Sequence, residues 1–98
     1  MEKKLIEMCG KSIPSSTGMV TYLVKEVVPK DHVTLTAQSR KQPAVLKWAD
    51  IELVFKKAPA SGVRTVDVDQ VLNNPQFRAS SPMCALVLAL RNPRLVQD

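Results

Sequence analysis

Three residues in this chain could do chemistry on a bond. His32 is the only histidine, and Cys9 and Cys84 are the only cysteines. A Cys–His pair works as nucleophile and base only if the two side chains meet in space. His32 has Asp31 as its chain neighbour, inside a segment that reads as a turn. Cys84 falls in the first turn of an expected helix, where the helix dipole lowers a thiol pKa. Six apolar residues follow it, however, and free cysteines usually behave as small buried hydrophobes. A packing role is therefore the simpler reading. Whether Cys84 or His32 lines a pocket is left open. A zinc site needs four ligands, which one histidine and two distant cysteines do not readily supply. No metal or cofactor is implied.

The acids come as Asp50/Glu52 and Asp67/Asp69. Acid–base catalysis needs two carboxylates facing one pocket, and residues at i and i+2 on a helix point apart. Their place at helix starts suits the dipole instead. Gly10-Lys11-Ser12 resembles the end of a phosphate loop, but Leu5 stands where the first glycine is needed. Without it the backbone cannot wrap a triphosphate. Ser15, Ser16, Thr17 and Gly18 offer amides for a weaker anion site, although turn formation explains them as well. Trp48 could stack on a base, yet its spacing with Ile51 and Phe55 assigns it to a core. No enzyme is expected.

The strongest functional signal is charge. Residues 1–49 hold eight bases and four acids, net +4, and residues 50–98 hold six bases and five acids, net +1. The basic side chains that fall on expected strands and turns are Lys11, Lys25, Lys30, Arg40, Lys41 and Lys47. Such a set can track a phosphate backbone or meet an acidic protein. Exposed aromatics for base stacking are scarce, with Tyr22 the one candidate, so recognition through phosphates is expected.

The elements that must carry this set are legible from pattern. Residues 2–9 read as a short helix ended by Gly10, and 11–18 as a loop. Met19 to Val28 reads as a strand apolar on both faces, hence central or covered on both sides. Pro29 to His32 is a turn. Val33-Thr34-Leu35-Thr36-Ala37 alternates, with Val33, Leu35 and Ala37 inward. Residues 39–42 form a basic turn, Pro43 suits a sheet edge, and Ala44-Val45-Leu46 is a third strand. Trp48, Ile51, Val54, Phe55 and Ala58 share one face of a helix over 48–58. Residues 63–66 read as a short strand and 67–73 as a helix starting at Asp67. Ser81 and Pro82 start a last helix over 82–91, which Asn92-Pro93 ends.

That last helix has no polar side: Met83 to Leu90 is an unbroken apolar run. Eight residues are too few for a membrane span, which needs about 20. The run must be covered all round, and a chain of 98 residues has little material to do it. Met83, Leu86, Val87 and Leu90 are therefore the candidate interface of a homodimer or of a protein–protein adaptor. The N-terminal apolar run is short and broken by Glu7, unlike a signal peptide. A cytoplasmic protein with reduced thiols is expected.

The stretch Gly10 to Gly18, with Thr21-Tyr22-Leu23-Val24 and Trp48-Ala49-Asp50-Ile51-Glu52, resembles small uncharacterised bacterial domains with an SH3-like sheet and trailing helices, such as orphans encoded by mobile integron gene cassettes. The resemblance implies a fold and no functional residue. The expected fold is a single α+β domain over 1–98: a small antiparallel sheet of three to five strands, SH3-like on the resemblance, packed by two or three helices. The expected role is a non-enzymatic module that binds nucleic acid or another acidic partner. The adaptor reading is the alternative.

Overall fold

A computed structural model describes residues 1–38 and 41–97. Four strands form one antiparallel sheet in chain order: β1 (Ser12–Pro14), β2 (Thr21–Val28), β3 (His32–Thr36) and β4 (Ala44–Lys47). Four α-helices accompany it: α1 (Glu2–Met8), α2 (Trp48–Lys57), α3 (Thr65–Leu72) and α4 (Ser80–Arg91), with a short 3-10 turn over Pro93–Leu95. The class is α+β. β1 and β4 are opposite edges of an open sheet, whereas an SH3-like barrel would curl back on itself.

The double-sided apolar pattern of β2 has a local cause. The β2–β3 register shifts between Val24 and Glu26, so Lys25 is an extra, bulged residue. A bulge reverses the phase of alternation. Tyr22, Val24 and Val27 therefore all turn toward the core, and Leu23, Glu26 and Val28 share the other face. β2 is central, as expected, but it is not covered on both sides: Leu23 stays 43% exposed. Two further expectations give way. Residues 12–14 are a strand rather than a loop, held by pairing with β2 and by a bridge between Ser12 and Gln97. Residues 63–66 are not a strand; α3 already begins at Thr65.

α3 starts earlier than Asp67 because Asp67 acts from inside its first turn. Its carboxylate reaches back and accepts the Arg64 N–H at 2.9 Å, which satisfies a donor that a helix start leaves orphaned. Asn73 ends the helix in the left-handed conformation, a geometry its short polar side chain tolerates. α4 starts at Ser80 with Ala79 as N-cap, so Ser81 does not cap it and Pro82 lies in its first turn.

α4 is the centre of the core. Met83, Cys84, Ala85, Leu86 and Val87 are fully buried, and Ala89 and Leu90 nearly so. One chain does cover it: α2, α3, β1 and the 3-10 turn all pack against it. Burying each of Met83, Leu86, Val87 and Leu90 contributes roughly 1.5–3 kcal/mol of transfer free energy. The expectation that these four side chains form an interface is corrected accordingly. They present no surface to a partner, and an uncovered α4 no longer argues for a homodimer or an adaptor. No helix of the described residues is long and apolar enough to cross a membrane.

Candidate functional site

The two sheet faces differ in kind. Ile13, Tyr22, Val24, Val33, Leu35 and Leu46 line the inner face and join the helices in one core. The outer face carries Ser12, Leu23, Glu26, Val28, His32, Thr34, Thr36, Val45 and Lys47, placed side by side by the strand registers. Leu23 and Val45 remain exposed on it, and Met19 stands 86% exposed beside it. A shallow open groove of about 800 Å³ runs along its β1–β2–β3 part, lined by Ser12, Met19, Leu23, Thr36 and Gln38 among others. Among the described residues no acid, base, histidine or cysteine lines this groove.

The basic residues fall in three places around this sheet. Lys11 lies at the start of β1 beside Val24, the residue before Lys25: Val24 N–H donates to the Lys11 carbonyl at 2.9 Å, and Gly10 N–H to the Val24 carbonyl at 2.7 Å. Lys11 is half-buried and Lys25 exposed on the bulge. Lys30 and Lys47 occupy one end of the sheet, on either side of Asp31 and His32 in the chain and in the β3–β4 register. Lys41 is exposed in the β3–β4 connection, toward the other end. Arg40 lies outside the described residues. The set is thus dispersed rather than a single stripe, and Glu26 and Asp31 interrupt it.

Lys30 sits in a turn that its own side chain disfavours. Asp31 N–H donates to the Val28 carbonyl at 3.0 Å, Pro29 takes the first central position, and Lys30 the second with φ +65°. This is the pattern of a type II turn, whose second central residue is usually glycine. Lys30 also lines a depression with Glu2, Trp48 and Glu52.

His32 is held from both sides. Its Nδ1 contacts the Asp31 carboxylate, and its Nε2 lies 3.1 Å from the Glu26 carboxylate. Both bonds raise its pKa above the ordinary 6.5, Asp31 more than Glu26. A neutral imidazole has one N–H, whereas the cation has two, so the doubly bonded arrangement is that of the cation. The adjacency of Asp31 was visible in the chain. Glu26 carries no such local signal; pairing of Val28 with His32 puts residue 26 on the same face, diagonally next to the ring.

The thiols take no part in a nucleophilic pair. Burial pushes the Cys84 thiol up to about 11, with the nearby charges of Asp67 and Asp69 adding to the shift. The dipole at the start of α4 does not overcome this. Cys9 is exposed at the end of α1, and its thiol faces the Lys25 carbonyl at 3.9 Å. Tyr22 is buried, so it is not a stacking platform, and Trp48 is core, as its spacing requires. Among the described residues no cluster of histidine, cysteine and carboxylate side chains could hold a metal ion. In comparisons with known proteins, no protein family, curated protein or solved structure matches this chain.

Proposed function

We propose that this protein is a non-enzymatic binding module that meets the phosphate backbone of a nucleic acid through the turns and outer face of its sheet. One coincidence carries the reading. All four strands lie between residues 12 and 47, within the half of the chain whose charge is +4. Leu23, Glu26, Val45 and Lys47 of the outer face are exposed to an incoming strand. Lys25, Lys30, Lys41 and Lys47 are all exposed, and long flexible ammonium side chains adapt to a backbone without reading bases. The lack of an exposed aromatic platform argues for weak sequence preference.

These four exposed lysines among the described residues would neutralise about four phosphates. The logarithm of the affinity should then fall with the logarithm of salt at a slope of about −3 to −4, a loss on the order of 100-fold between about 50 and 200 mM. Fluorescence anisotropy with labelled duplex DNA and RNA reads this directly. The Lys41→Glu, Lys47→Glu double variant should lower affinity and flatten the slope. No measurable binding at about 50 mM salt, or binding that ignores salt, would sink the proposal.

A further inference from the structure

His32, Glu26 and Asp31 form a small polar cluster at one end of the sheet, on its solvent side. Glu26 belongs to β2, His32 opens β3, and Asp31 ends the turn between them. His32 pairs with Val28 on one side and with Lys47 of β4 on the other. Its ring therefore sits where three strands meet. Asp31 is anchored there as well, because its carbonyl accepts the Trp48 N–H at 2.9 Å at the start of α2.

We infer that this cluster is a pH-operated clamp, in which the His32 cation ties the turn to β2 and the neutral ring lets one carboxylate go. The chemistry follows from donor count. The cation donates from Nδ1 to Asp31 and from Nε2 to Glu26 together. Losing one proton leaves a single N–H and turns the other nitrogen into an acceptor that faces a carboxylate oxygen, so one contact must open. With carboxylates on opposite ring nitrogens, only the cation can hold both at once.

The other charges nearby are Lys47 across the ladder and Lys30 in the turn, with Glu2 and Glu52 sharing the depression beside Lys30. When His32 is charged, the outer end of the sheet holds three cations, Lys30, His32 and Lys47, against two anions, Glu26 and Asp31. When it is neutral the numbers are equal. The clamp thus changes both the tie and the local charge, and it stands whether or not a nucleic acid is the partner.

The sign of the stability effect is set by the raised pKa. In the unfolded chain His32 titrates near 6.5. A group whose folded pKa is higher contributes stability that is complete below about pH 6.5 and is lost as pH rises through the folded midpoint. Because His32 is the sole histidine, its ring protons give a single resolved titration by NMR. The midpoint should lie above 6.5 in the native protein and fall toward it in Glu26→Gln and in Asp31→Asn, furthest when both are changed. The melting temperature of the native chain minus that of His32→Asn should be positive at pH 5.5–6.5 and shrink to nothing above the midpoint. A native midpoint at or below 6.5, a midpoint that ignores both carboxylate variants, or a melting difference independent of pH would overturn the clamp.

Discussion

The guanidinium of Arg91 lies over the ring of Phe55, 5.8 Å from its centroid, and donates to the carbonyl of the same residue at 2.9 Å. Two further bonds run to the carbonyls of Ala58 at 2.8 Å and Pro59 at 2.6 Å. A helix leaves its last carbonyls without partners. Here the last residue of α4 satisfies one of those of α2, at Phe55, and the carbonyls of Ala58 and Pro59 just beyond it. Its positive charge sits at the negative end of the α2 dipole. This one side chain joins the end of α4 to the end of α2.

Replacing Arg91 by alanine should destabilise the protein by about 2 kcal/mol, the scale of hydrogen bonds made by a charged donor to groups that then lose their partner. Lysine should recover only part of this, because a single ammonium cannot span three carbonyls as a planar fork does. Urea unfolding checks both variants. Equal stability of Arg91→Ala and the parent would show that water caps α2 as well as Arg91 does.

Truncating the core centre should cost more. Leu86 is fully buried in the middle of α4, and Leu86→Ala should lose about 2–5 kcal/mol through lost transfer energy and the cavity left behind. The loss should not depend on protein concentration, since the side chain is covered by its own chain. A stability that rises with concentration in the parent and not in the variant would return Leu86 to an interface.

The two thiols should differ sharply toward a thiol reagent. The thiolate is the reacting form, and burial pushes the Cys84 thiol up to about 11 while Cys9 is exposed. At pH 8 the native protein should react with Ellman's reagent at one cysteine and the unfolded protein at two. Rapid modification of Cys84 in the native chain, read by mass spectrometry of its peptide, would contradict its place in the core.

Lys30 allows a variant that moves stability and binding in opposite directions. Its φ of +65° is unfavourable for a side-chain-bearing residue by roughly 1 kcal/mol, and glycine adopts it freely at some cost in unfolded-state entropy. Lys30→Gly should thus be no less stable than the parent, and up to about 1 kcal/mol more stable, while its affinity for duplex DNA falls. Unchanged affinity would remove Lys30 from the proposed surface. A less stable variant would show that the lysine side chain holds the turn.

Much of the fold is determined by residues close together in the chain. The spacing of Trp48, Ile51, Val54 and Ala58 specifies α2 because the 3.6-residue period is local. The alternation of Val33 and Leu35 specifies β3 for the same reason, and Pro93 marks the end of α4. Tertiary structure alone decides what surrounds those elements. Whether α4 is core or interface depends on α2, α3 and β1 arriving around it, which its own apolar run does not encode. The Lys25 bulge, which sorts β2 into one buried and one open face, exists only in the pairing with β3. The meeting of Arg91 with Phe55 spans 36 positions of chain, and Glu26 reaches His32 only through strand register. Charge could be counted from the chain, but its dispersal into three places follows from the packing, because where a side chain stands is set by partners distant in sequence.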